Sequence, residues 1–218
     1  MNLAHPVRAV VPTLDGPVLE VLAGTTRPLT GREVHRLAGA GSPNGVRLVL
    51  TRLTEQGLVH AEERAAAVFY VANRNHVAWP AVEMLAGLRR TLLDLLRAKL
   101  GSWRPPKPVH ASLFGSAARG EGNEQSDIDV LLIRPEGVGE DQLRWADQVD
   151  HLRHQVWAWT GNRCQAFQLD LTRLAQHVQA RDPLVDAWLR DAITLAGSGL
   201  RTVLRRLPAV GGDQRALG

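Results

Sequence analysis

The sequence predicts an α+β protein in two parts: a helical N-terminal half closed by a β-hairpin, and a C-terminal half built on a mixed sheet. Three observations predict it. Helix patterns with their own start and stop residues crowd into residues 15–56, and the apolar spacing turns from helical to alternating after Gly57. A stretch rich in Gly, Ser and Pro, GSWRPPKP at 101–108, then interrupts the chain. Beyond it the apolar runs VHASLFG, DIDVLLI and CQAFQL alternate with helical segments.

Taken in order, DGPVLEVLAG (15–24) reads as a short helix, with Asp15 as N-cap and Pro17 in the first turn. TGREVHRLA (30–38) reads as a second. Thr30 caps it, and Glu33 stands at the capping-box spacing. Ser42 and Pro43 start a third helix, which runs to about Gln56 and stops at Gly57. Val46, Val49, Leu50 and Leu53 form its apolar face, while Asn44, Arg47, Thr51 and, at the margin, Leu48 and Arg52 point elsewhere. Strands are expected at 58–61 and 67–72, with a charged turn at Glu62, Glu63 and Arg64. WPAVEMLAGLRRTLLDLLRAKL (79–100) is the longest helical pattern.

The second half opens with the strand at 109–115, followed by a glycine-rich polar segment and the strand 127–133. A helix over 140–159, the strand 164–169 and helices over 171–180 and 183–196 follow. The organisation is therefore 1–78, a connecting helix 79–103, a sheet domain 104–207 and a tail 208–218.

The bulk numbers fit this division. A chain of 218 residues is long for one compact domain and comfortable for two small ones. Its apolar share of 44% is that of a globular protein, not a disordered one. No apolar run approaches the length of a membrane span, so no membrane is expected as a partner. The N-terminus lacks the apolar core of a secretory signal, and the one cysteine, Cys164, excludes an internal disulfide and a cysteine-based zinc site. A cytoplasmic location is the expectation. The net charge of +4 is compatible with a polyanionic partner, and so is plain arginine-rich composition.

The chemistry concentrates in LFGSAARGEGNEQSDIDVLLI, residues 113–133. Side chains two apart on a strand share a face, so Asp127 and Asp129 project together while Ile128 and Val130 face the other way. Two like charges this close need a cation between them. Mg²⁺ suits the pair, because it takes carboxylate oxygens and shares its shell with substrate phosphates. Gly115 and Ser116 follow a strand directly, so backbone N–H groups and a hydroxyl can approach a phosphate there. Arg119 either contacts phosphate or braces the loop.

Gly115-Ser116, ten residues, then Asp127-Ile128-Asp129 resembles the signature of the nucleotidyltransferase superfamily with the polymerase-beta-like palm. The Arg119-Gly120 pair and Ser126 before the first aspartate make it similar to the minimal nucleotidyltransferases, over about residues 104–200. The resemblance implies binding of an NTP, ATP among them, with Mg²⁺ or Mn²⁺. It implies transfer of a nucleoside monophosphate to a hydroxyl on a protein, an RNA or a small molecule. Gly115, Ser116, Arg119 and Ser126 would hold the nucleotide, and Asp127 and Asp129 the metals. Active members add a third carboxylate from a later strand. Here that strand offers Gln165 and Gln168, and then Asp170, which is either that carboxylate or the N-cap of the next helix.

LTGREVHRLAGAGSPNGVRLVLTRLTEQGLV, with its flanks covering about 12–76, resembles winged helix-turn-helix transcription regulators. The resemblance implies that the third helix enters a major groove of double-stranded DNA, with Asn44, Arg47, Thr51 and Arg52 as contacts. Winged helices also serve as protein-binding modules, and Glu62 and Glu63 are acidic where a phosphate-binding wing is usually basic. The leucines of 79–100 suggest a homodimer helix. His151 and His154 lack a third ligand nearby, the tryptophans read as core or interface, and Cys164 reads as a small buried hydrophobe. Three functions follow: a nucleotidyltransferase placed by a DNA-binding module, a DNA-binding regulator that binds nucleotide without turnover, and an antitoxin-like partner protein.

Overall fold

Start and stop residues decide most elements of the computed structural model, which describes residues 1–65 and 67–207. The chain divides into two compact units, Met1–Thr91 and Leu92–Gly218.

In the first unit a 3-10 turn, Pro6–Ala9, precedes α1, Asp15–Ala23. Asp15 is not the N-cap expected of it: the cap position is Leu14, without a side-chain bond. The Asp15 carboxylate instead accepts from the Thr13 hydroxyl at 2.6 Å and pairs with Arg52. β1, Leu29–Thr30, leads into α2, Gly31–Ala38. The capping box is formed, with Thr30 Oγ1 accepting from the Glu33 N–H and Glu33 accepting from the Thr30 N–H. Those bonds, with Arg27 alongside, hold the Glu33 carboxyl down at about 2. α3, Pro43–Glu55, starts at Ser42, whose Oγ accepts from Gly45 N–H at 3.1 Å. It buries Val46, Leu50 and Leu53 against Val18, Leu22 and Val34.

β2, Val59–Arg64, and β3, Ala67–Ala72, pair in antiparallel register from Val59↔Ala72 to Arg64↔Ala67. The charged residues expected in the turn lie in the strand, and the chain reverses after Arg64. Past Val59, β2 is exposed along its length, so a strand can carry charges on both faces there. β1 adds a third strand through Leu29↔Tyr70, a pairing too short to announce itself in the sequence. The pattern at 79–100 is two helices, not one: α4, Trp79–Ala86, ends at Gly87, and α5, Leu88–Gly101, follows. Leu92, Leu96 and Leu100 are buried within the single chain.

The second unit carries a four-stranded sheet in the order β6-β5-β4-β7. β4 is His110–Phe114, β5 Ile128–Ile133, β6 Cys164–Leu169 and β7 Ile193–Gly197. β5 and β6 are parallel, while β4 runs antiparallel to both β5 and β7. β7 corrects the sequence reading of a helix through 196. α9, Pro183–Asp191, stops at Ala192, and Ile193, Thr194 and Leu195 then favour the extended chain. α7, Leu143–Thr160, packs on β6 on one side of the sheet. α8, Leu171–Gln179, α9 and α10, Leu200–Arg205, supply Leu174, Val185, Trp188, Leu200 and Val203 to the core over Leu131, Ile133 and Leu169. The tail expected at 208–218 lies outside the described residues. Among the described residues no helix is long and apolar enough to cross a membrane.

Candidate functional site

The order β4–turn–loop–β5 brings Gly115, Ser116, Ser126, Asp127 and Asp129 to one end of the sheet. β4 and β5 are antiparallel with Phe114 opposite Asp129, so the turn leaving β4 and the start of β5 are neighbours. The turn begins α6, Gly115–Arg119, which ends at Gly120. Gly115 adopts φ +69°, and a Cβ there would run into Oδ2 of Asp129. Glycine is required on both counts. Asp129 is half-buried, and Asp127, one residue before the strand, is exposed. Burial first, and the charge of Asp127 second, push the Asp129 carboxyl above its ordinary value. A carboxylate raised by burial and by a neighbouring carboxylate in this way fits a divalent cation beside it. Among the described residues no group of three or more His, Cys, Asp or Glu side chains is placed to hold a metal, so the pair stands without a third carboxylate.

The loop between α6 and β5 is folded on itself. Glu121 N–H donates to Ser116 O at 2.8 Å, and Asn123 N–H donates to Ser126 Oγ at 2.9 Å. Gly122, at φ +100°, lies against both Ser116 and Ser126, and that backbone angle favours glycine. Ser126 thus shapes the loop that leads to Asp127. A residue the sequence did not single out fastens this loop from outside. Asn162, 2% exposed, donates through Nδ2 to Ser126 O at 2.9 Å and to Asn123 O at 3.3 Å. It follows Gly161, the left-handed residue that ends α7, and Ile128 N–H bonds to Arg163 O just beyond. A Gly-Asn pair after a helix is an ordinary stop signal, so nothing in the sequence marked it as a clamp.

Arg119 braces. Its Nε donates to Glu121 at 2.8 Å and its Nη1 to Asp191, at the end of α9, at 3.2 Å. Of the two roles open to Arg119, this is the structural one.

Asp170 is not with the other aspartates. The parallel register sets Asp129 beside Gln165 and Ile133 beside Leu169. Asp170 follows Leu169, five residues on from Gln165, which at strand spacing is about 16 Å from the Asp129 row. Its Oδ1 accepts from Arg173 N–H at 2.7 Å as the N-cap of α8, and Oδ2 lies 3.7 Å from the buried Arg134. A catalytic role for Asp170 is therefore corrected to a capping role. Gln165 occupies the position level with Asp129 on the same face. Gln168 is on the other face, accepting from Trp145 Nε1 at 2.6 Å.

The remaining candidates resolve individually. Burial pushes the Cys164 thiol up to about 12, which removes it as a nucleophile. His151 and His154 are exposed, each with Nδ1 near the carbonyl four residues back. Trp145 is buried, whereas Trp157 is 62% exposed. In the first unit Asn44, Arg47 and Thr51 share one exposed stripe of α3 with Leu48, itself 56% exposed. Arg47 Nη2 donates to Asn44 Oδ1 at 3.0 Å. Arg52 is displaced from the stripe and paired with Asp15.

No curated protein matches the chain. Among solved structures, human N-acetylserotonin methyltransferase in complex with SAM matches at 22% identity over 46% of this chain and 31% of that one, with a TM-score of 0.28. The chain thus covers under a third of that protein, and likeness at this level carries no argument. The family comparison falls on the carboxylate site: residues 93–198, just under half of the 218-residue chain, match the family model described as the nucleotidyltransferase domain.

Proposed function

We propose that the second unit transfers a nucleoside monophosphate from an NTP to a hydroxyl acceptor, releasing pyrophosphate. The observation that carries this reading is the seating of the Asp129 carboxylate against Gly115, where any side chain would displace it. Asp127 and Asp129 would hold Mg²⁺, or Mn²⁺ in its place, which when bound offsets their repulsion and the charge on the transferred phosphoryl group. The chain's own residues supply the rest. Gly115 lets the backbone approach the triphosphate, and Ser116 offers its hydroxyl beside it. Asn162 and Ser126 keep the loop before Asp127 in one shape, so the two carboxylates stay aligned. The acceptor oxygen bonds to the α-phosphorus as the bond to pyrophosphate breaks, and the acceptor proton passes to solvent.

Gln165 supports a second reading. A neutral amide stands level with Asp129, so no side-chain base is there to take the acceptor proton. The unit would then bind NTP and turn it over slowly or not at all, as a sensor. In either reading the first unit acts as a winged helix-turn-helix that binds double-stranded DNA through α3. Asn44 and Arg47 would reach base edges, and Leu48 and Thr51 would offer apolar contact to thymine methyl groups.

Calorimetric titration of the four NTPs with Mg²⁺ tests the site. Wild type binds at least one NTP only when the metal is present, and the Asp127→Asn, Asp129→Asn double variant does not. Absence of metal-dependent binding to wild type would overturn both readings. Pyrophosphate release with an acceptor panel then separates transfer from sensing. For the first unit, Arg47→Ala weakens binding to a selected duplex by about 1–3 kcal/mol. Equal affinity of the variant would exclude α3 as the reading helix.

A further inference from the structure

A second polar site lies in the same unit, away from the carboxylate pair. A cleft of about 280 Å³ opens between the end of α5, the segment after it and the first half of α7. Lys99, Arg104 and Arg144 line it together with His151, and Asp147 is the one acid in the lining. Among the described residues, no carboxylate is ion-paired with any of these three cations. The cleft therefore holds a net excess of two positive charges, without counting the histidine.

The walls are built. Arg104 N–H donates to Gln148 Oε1 at 2.8 Å, and Gln148 Nε2 donates to Pro106 O at 3.2 Å. Arg144 Nη1 donates to Pro105 O at 3.3 Å. These bonds fasten the segment after α5 to α7, so the cations stand on a fixed frame. Trp103, also in the lining, is 4% exposed and packs edge-on to Trp145 at 5.3 Å between centroids. Its indole N–H is buried with no acceptor among the described residues.

This cleft is not the triphosphate site. The segment after α5 leads into β4 at His110, which pairs with Ile133 at the opposite end of β5 from Asp129. We propose that the cleft binds a phosphate dianion: the terminal phosphate, or the pyrophosphate group, of a small phosphorylated ligand. Two arginines and a lysine match a multiply charged tetrahedral anion, and a single carboxylate would leave most of their donors unused. The space is far larger than one carboxylate needs. Metal binding is excluded by the sign of the charge. The inference stands apart from the proposed activity, since it uses neither carboxylate.

The test uses the full chain carrying Asp127→Asn and Asp129→Asn, in EDTA, so that the other site is silent. Pyrophosphate is titrated by calorimetry and by tryptophan fluorescence. Binding is expected, with Lys99→Ala and Arg104→Ala each weakening it about tenfold or more. Arg104 holds the frame through its backbone N–H alone, so its side chain can be removed without loosening the wall. Arg144→Ala should weaken binding as well. Three results would overturn the proposal. One is no pyrophosphate binding. Another is binding that survives Lys99→Ala and Arg104→Ala unchanged. The third is displacement of pyrophosphate by an unphosphorylated oligonucleotide as readily as by a 5′-phosphorylated one, which would assign the cleft to a nucleic-acid backbone instead.

Discussion

The two ends of the β5–β6 pair each carry aspartate, and the two ends differ in what surrounds it. At one end Asp170 accepts a backbone N–H at 2.7 Å and lies near Arg134. Each oxygen of that carboxylate has a partner inside the chain. At the other end Asp129 is half-buried beside Asp127, and its carboxyl is pushed upward by burial and by like charge. A carboxylate whose surroundings satisfy it is part of the frame. One left at a disadvantage by its surroundings is a candidate for holding something that is not protein. The same contrast separates Arg119 and Arg52, both ion-paired, from Lys99 and Arg104, which face a cleft.

The largest effect should come from the crowded end. Gly115→Ala forces a side chain into the space of the Asp129 carboxylate at a backbone angle that alanine avoids. Stability is expected to fall by about 1–3 kcal/mol, and metal-dependent NTP binding to be lost. A denaturant series with a calorimetric titration checks both. Retained nucleotide binding would mean that the close approach of Gly115 to Asp129 does not matter to the site.

Asn162→Ala comes next. It strips the donor from the carbonyls of Ser126 and Asn123, which are part-buried beside the α7–β6 turn. The cost is about 1–3 kcal/mol. The informative readout is nucleotide affinity in variants of the same stability. A clamp that aligns Asp127 predicts weaker NTP binding from Asn162→Ala than from an equally destabilising change elsewhere in the unit, such as Val203→Ala.

These two residues also mark how far the sequence could be read. The pairing of Asp127 with Asp129 was legible from strand alternation, and their grouping with Gly115 from the resemblance that Gly115-Ser116 and Asp127-Ile128-Asp129 carry. Thr30, Glu33, Ser42 and Pro43 were legible because capping is local. β7 was not, because a short edge strand after a helix carries no stop signal stronger than Ala192, and its pairing with β4 spans some eighty residues. The break at Gly87 was hidden by leucines that keep helical spacing on both sides of it. Asn162 was invisible for the same reason as β7: its importance lies in what it meets across 36 to 39 residues of chain. The fate of Asp170 turned on strand direction and register, which decide whether the C-terminal end of β6 lies beside Asp129 or beside Ile133, and no local pattern sets that.

At the satisfied end the expectation is modest. Asp170→Ala removes the cap of α8 at a cost of about 1 kcal/mol, and it leaves NTP affinity unchanged within the error of the titration. Thermal unfolding and the same calorimetry check it. A loss of turnover from Asp170→Ala at full nucleotide affinity would return Asp170 to the catalytic set and contradict the register.

The smallest effect is a matter of sign. The folded Asp129 carboxyl titrates above its ordinary value of 3.8, so between the two values the native chain holds more of this proton than the unfolded chain does. Stability from this group is therefore complete below pH 3.8 and is lost as pH rises through the folded value. The difference in unfolding free energy between Asp129→Asn and wild type should move in favour of the variant as pH rises from below 3.8 towards neutrality in EDTA. Adding Mg²⁺ should shift it back, because a cation bound between Asp127 and Asp129 stabilises the ionised pair in the native state only. A difference that is flat with pH in EDTA would mean that Asp129 meets no penalty where it lies, and the contrast between the two ends of the sheet would then have no energetic content.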